Sequence, residues 1–96
     1  MSVVATVSQA GRSATSVNIL AANANRVSLI LYSESAAIVY IKCGAVATTS
    51  DYSLQLTNNT YVQIDQYTGQ IDAIWNSAGT GSIKVTEFTS NRGRVR

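Results

Sequence analysis

The chain contains no histidine and no proline, a single cysteine (Cys43), and charged residues at only 12%. Soluble domains usually carry about 25% charged residues, so half of the expected charge is missing. Without histidine, Ser–His and Cys–His catalysis and the commonest metal ligand are excluded. One cysteine excludes an internal disulfide and a thiolate cluster. No apolar run approaches the ~20 residues that a membrane-spanning helix needs. Residues 1–12 show no basic segment leading into a long apolar one, so no secretory signal is expected and synthesis in the cytoplasm is. These absences lead us to expect no enzyme, no cofactor, no metal, no membrane contact and no small-molecule substrate.

What the chain does contain is β-forming residues. Its 96 residues suffice for one domain and one thin core. Val and Ile together number 18 against five Leu, and β-branched side chains suit a pleated, half-buried surface. Strands are expected over residues 3–7, 17–20, 26–32, 38–43, 52–56, 61–65, 70–75 and 82–88, separated by polar breaks. No connection is long and periodic enough to hold a crossover helix. The expected fold is therefore all-β: an antiparallel β-sandwich, jelly-roll or immunoglobulin-like, of seven or eight short strands. Within it, residues 1–16 form an N-terminal strand or arm, 17–88 the sandwich and 89–96 a basic C-terminal arm. Leu54-Gln-Leu56 and Val62-Gln-Ile64, joined through Asn58-Asn59, read as a hairpin, because Asn tolerates left-handed turn geometry. Residues 76–81 read as the turn of a second hairpin into the last strand.

Several strands are apolar on both faces. In residues 26–32, Val27, Leu29 and Leu31 oppose Ser28, Ile30 and Tyr32; in residues 70–75, Ile71, Ala73 and Trp75 oppose Asp72 and Ile74. A two-layer sandwich buries only the inner face of each sheet, and so short a chain cannot cover both. Ile30, Tyr32, Ile74 and Trp75 are thus candidates for a subunit or partner interface; the alternatives are a loop or residues 8–16 folding back over them, or scattered single side chains. Trp75 shares a strand face with Ile71, which leaves a core position open for it.

Arg92, Arg94 and Arg96 are three of the seven basic residues, and the rest of the chain carries four basic and five acidic groups, a net −1. They suit an arm that pairs with carboxylates of a neighbouring protein, with a solvated terminal tail as the alternative. Nucleic acid is disfavoured, since three arginines release few counterions. Asp51, Asp65 and Asp72 show no calcium-loop spacing and read as turn or strand-end carboxylates. Gly79-Thr-Gly-Ser82 precedes a strand and not a helix, so it is a turn and not a phosphate cradle. The five tyrosines could offer a stacking platform for sugar, although strand parity scatters them.

One set of blocks is familiar: Asn18-Ile-Leu-Ala-Ala-Asn23-Ala-Asn25-Arg26, Ser28-Leu-Ile-Leu-Tyr32, Ala37-Ile-Val-Tyr-Ile-Lys42 with Gly44, Tyr67-Thr-Gly69-Gln-Ile71-Asp-Ala-Ile74-Trp75, and Val85-Thr86-Glu87. Spaced over residues 17–88, they resemble small β-sandwich structural proteins of tailed bacteriophages. The resemblance implies a non-enzymatic virion component. Its leading form is a capsid decoration or cement protein in the phage head, bound between major capsid protein subunits and to copies of itself as a homotrimer. A tail, fibre or head–tail joining module, with carbohydrate (receptor) binding, is the alternative.

Overall fold

The computed structural model describes residues 3–90. Among them eight strands form where the β-branched and aromatic clusters stand: β1 (Val3–Gly11), β2 (Val17–Leu20), β3 (Arg26–Ser33), β4 (Val39–Cys43), β5 (Leu54–Leu56), β6 (Tyr61–Asp65), β7 (Ile71–Trp75) and β8 (Ser82–Ser90). β2 and β6 match the expected limits in full, and β1 runs four residues further than expected.

The strands make two antiparallel sheets, ordered β1-β8-β3-β6 and β2-β7-β4-β5. Of the strands that follow one another in sequence, only β4 and β5 lie side by side; every other step crosses between sheets. This is the double Greek key of a jelly roll, so the immunoglobulin-like alternative is set aside. It also corrects both expected hairpins. β5 pairs with β4 and β6 pairs with β3, while β7 and β8 lie in opposite sheets. Alternating apolar residues fix which face of a strand is buried, but a turn that arches between two sheets satisfies that pattern as well as a hairpin does. The local geometry at Asn59 is nevertheless left-handed, with φ at 61°. Its N–H donates to Ser33 O at 2.9 Å, which pins the arch to the end of β3.

Between the sheets lie Leu29 and Leu31 from β3 and Ile83 and Val85 from β8, facing Val39, Ile41, Ile71, Ala73 and Trp75 of the second sheet; all are inaccessible to solvent or nearly so. Each buried Leu, Ile or Val contributes ~1.5–3 kcal/mol over its exposed state.

Two arginines tie down the ends of the sandwich. Past the end of β1, Arg12 donates to Ser77 O (2.9 Å), Ser77 Oγ (2.7 Å) and Thr80 O (3.1 Å), holding the β7–β8 connection. That connection ends at Gly81, with φ at 127°, where a Cβ would lie 2.7 Å from the Ser35 side chain. At the opposite end, the buried Arg26 donates to Tyr67 O (3.0 Å), Gly69 O (2.8 Å) and Ala21 O, so one guanidinium gathers two loops.

Candidate interaction surface

The cross-strand register decides which side chains share a face. On the outside of the first sheet, Ala5, Phe88, Ser28 and Asp65 stand in one row across β1, β8, β3 and β6. Val7, Thr86, Ile30 and Gln63 form the next row, and Gln9, Lys84, Tyr32 and Tyr61 the third. Ile30, Tyr32 and Phe88 are half-buried by their neighbours, whereas Tyr61 is 70% and Val7 64% exposed. The Tyr32 hydroxyl donates to Asn59 Oδ1 at 3.1 Å, which orients the ring over the sheet. The charges on this face are Asp65, which accepts from Gln63 Nε2 at 3.1 Å, and Lys84, whose ammonium lies on Gln9 and 3.8 Å from Glu34. An aromatic and aliphatic band thus crosses the sheet, with its charged groups already engaged by neighbours. A band of this kind is the usual mark of a protein contact surface.

The outside of the second sheet is different. Tyr40, Ile74 and Gln55 form one row, and Asn18, Asp72 and Lys42 another. Asp72 is almost fully buried, accepting from Asn18 Nδ2 at 3.1 Å and Gln70 Nε2 at 3.0 Å. Lys42 pairs with Asp51 at 2.6 Å. The apolar part is confined to Ile74 and the Tyr40–Tyr52 ring pair, whose centroids are 4.9 Å apart.

The structure therefore divides the residues expected to form one interface. Ile30 and Tyr32 stand together on the first sheet's outer face, and Ile74 stands on the opposite side of the molecule. Trp75 corrects the expectation outright: it is 1% exposed, opposes Val39 across the ladder and belongs to the core. Its parity with Ile71 and Ala73 is the reason. Arg92, Arg94 and Arg96 lie outside the described residues. Of the N-terminal arm, the part from Val3 onward is a sheet strand and not a free extension.

Sequence reasoning overlooked Phe88 and Tyr61 as members of the outer face. The signal was present for Phe88: once Ile83 and Val85 point inward, residues 84, 86 and 88 must point outward. The tyrosines are also less scattered than expected, forming the cross-strand pair Tyr32–Tyr61 on one face and the ring pair Tyr40–Tyr52 on the other. Tyr67 sits apart, near Cys43 and Arg26. Burial chiefly raises its phenol above the ordinary value, with the Cys43 thiol adding and the Arg26 charge opposing.

Asp51, Asp65 and Asp72 do not converge. Asp51 serves Lys42, Asp65 lies on the first sheet and Asp72 on the second. Among the described residues, no three His, Cys, Asp or Glu side chains come together in a way that could hold a metal ion.

Scans against known protein families and against curated proteins find no match. A solved structure from work on Bacillus endospore appendages, described as a novel family of disulfide-linked pili, superimposes with a TM-score of 0.60. It is 13% identical, over 93% of this chain and 87% of that one. The likeness is one of fold. It places the eight strands in an arrangement that another protein also adopts, and it carries no residue-level correspondence.

Proposed function

We propose that this chain is a structural subunit of a larger particle, docking through the outer face of its β1-β8-β3-β6 sheet. The observation that carries this reading is the band formed by Val7, Phe88, Ile30, Tyr32 and Tyr61, of which Val7 and Tyr61 stand exposed. A free monomer with so little charge and such a band would be sticky, and a neighbour that covers the band removes the difficulty. The jelly roll is also an assembly fold, found in viral capsid domains. The Bacillus pilus is a second instance of a related sandwich in an assembled structure.

The particle favoured by the sequence blocks over residues 17–88 is a tailed-phage head, with the chain decorating the shell between major capsid protein subunits. Purified chain mixed with purified phage capsids should pellet with them at a fixed stoichiometry. Ile30→Glu should abolish pelleting while circular dichroism stays unchanged. Wild-type occupancy by that variant would move the interface elsewhere.

The Tyr40–Tyr52 pair, with Gln55 Nε2 3.4 Å from the Tyr52 hydroxyl, favours one second reading. Two tilted rings beside an amide can hold a sugar face, as a tail or fibre module would. Glycan binding that is lost in Tyr52→Ala, with no capsid pelleting, would select this reading over decoration.

A further inference from the structure

β1 is nine residues long and, among the described strands, pairs with β8 alone, in a register of nine unbroken pairs from Val3↔Ser90 to Gly11↔Ser82. A sandwich strand normally buries alternate residues. β1 does not: residues 3–9 are exposed on both faces, and only Ala10 is half-buried. Val4, Thr6 and Ser8 share the inward side with Ile83 and Val85, yet no described residue covers them. The physical reason is length, because β2 at the matching margin of the second sheet has four residues with a register shift between Asn18 and Leu20. The first sheet therefore overhangs the second along β1.

Within the described residues this edge lacks the sequence devices by which natural edge strands are kept apart. It carries no charge, no proline and no bulge. The other three edges are protected or small: β6 has five residues and Asp65, β2 is short and irregular, and β5 has three residues.

The geometry points to β1 as the site where two copies of this chain join, antiparallel about a two-fold axis, into one continuous eight-stranded sheet. The occupant is a second copy because the edge offers main-chain groups and small side chains, with no charge for a different partner to read. A two-fold axis sets β1 against itself, so any charge on the strand would face a like charge; Val3-Val-Ala-Thr-Val-Ser-Gln-Ala-Gly11 has none. Valine and threonine are also the side chains that pair well across antiparallel strands. An isologous contact of this kind consumes both edges and closes, so assembly stops at two. The pairing supplies the self-contact within the structural-subunit reading, on which its purpose rests. It yields a dimer, where capsid geometry by itself suggests a trimer.

The test is mass by light scattering across a concentration series, with circular dichroism as the check on folding. The chain should weigh twice its 10.2 kDa monomer. Val4→Lys and Ala5→Lys, one on each exposed face, should restore the monomer mass with the fold retained. Five single cysteines, Val4→Cys, Ala5→Cys, Thr6→Cys, Val7→Cys and Ser8→Cys, each in a Cys43→Ser background, give an independent readout. Directly opposed antiparallel residues lie about 4.5–5.5 Å apart, within disulfide reach, so the position at the axis should cross-link to its own copy far faster than the others. A one-chain or three-chain mass at all concentrations would overturn the inference, as would a dimer unaffected by both lysines or cross-linking that is absent or uniform. Capsid pelleting reports separately. A dimer that ignores capsids sinks the particle reading alone, and a monomer that pellets sinks the β1 contact alone.

Discussion

Arg26 and Glu87 form an ion pair whose guanidinium is wholly buried: Nε lies 2.9 Å from Oε2, with the Arg26 side chain 0% and the Glu87 side chain 16% exposed. The two residues are 61 positions apart, and the same guanidinium donates to three carbonyls in the 21–25 and 66–70 segments. The Asn-Ala-Asn-Arg26 and Tyr67-Thr-Gly69 blocks, distant in sequence, are one structural unit. Its donors match its acceptors in a way that the shorter ammonium of lysine cannot reproduce.

Arg26→Ala should lower unfolding free energy by about 3–5 kcal/mol, because it strands a carboxylate and several carbonyls away from water. That is a large share of the 5–15 kcal/mol typical of a whole domain. Glu87→Gln, which keeps a hydrogen-bond acceptor, should cost about 1–2 kcal/mol. Urea unfolding followed by circular dichroism separates the two.

Gly69 and Tyr67 are coupled by space. The Tyr67 hydroxyl donates to Gln70 O at 2.8 Å, folding its ring against the turn, and a Cβ on residue 69 would lie 2.5 Å from that hydroxyl and 2.7 Å from Cζ. Gly69→Ala should therefore cost about 1–3 kcal/mol, as overpacking does. In a Tyr67→Ala background the same change should cost almost nothing. A double-mutant cycle by thermal unfolding reads the difference; additive losses would contradict the close approach.

Tyr67 also sets an alkaline limit. Burial raises its phenol above the unfolded value of about 10, so above that pH the folded state holds a proton that the unfolded state releases. Its contribution is complete below about pH 10 and is lost as pH rises through the folded value. Phenolate absorbance should show a step above the ordinary phenol value that belongs to Tyr67. Tyr67→Phe should remove that step and flatten the alkaline fall in stability.

Trp75 and Ile30 should separate stability from binding. Trp75→Ala removes a core side chain and should cost about 3–5 kcal/mol. Ile30→Glu, on the outer face between Thr86 and Gln63, should cost about 1 kcal/mol while abolishing particle binding. The reverse pattern would exchange their roles.

Strand positions were legible in the sequence because period-two alternation and β-branched clusters are local properties: residues 17–20 and 61–65 could be delimited with nothing but neighbours. Ile30 and Tyr32 could be assigned outward from the parity of Leu29 and Leu31 for the same reason. Pairing was not legible. Whether β6 joins β5 or β3 depends on contacts far apart in the chain, and an arch and a hairpin share one local pattern.

The amino-acid sequence by itself determined an all-β chain with no internal disulfide and too many apolar strand faces for its length, since composition and alternation do not depend on where the strands go. Only the tertiary structure decided the jelly-roll order, the burial of Trp75, the opposite placement of Ile30 and Ile74, and the overhang of β1. Each of those is set by which strands stack across the sandwich and how far each reaches, and a nine-residue strand beside a four-residue one leaves an edge that no local pattern could reveal.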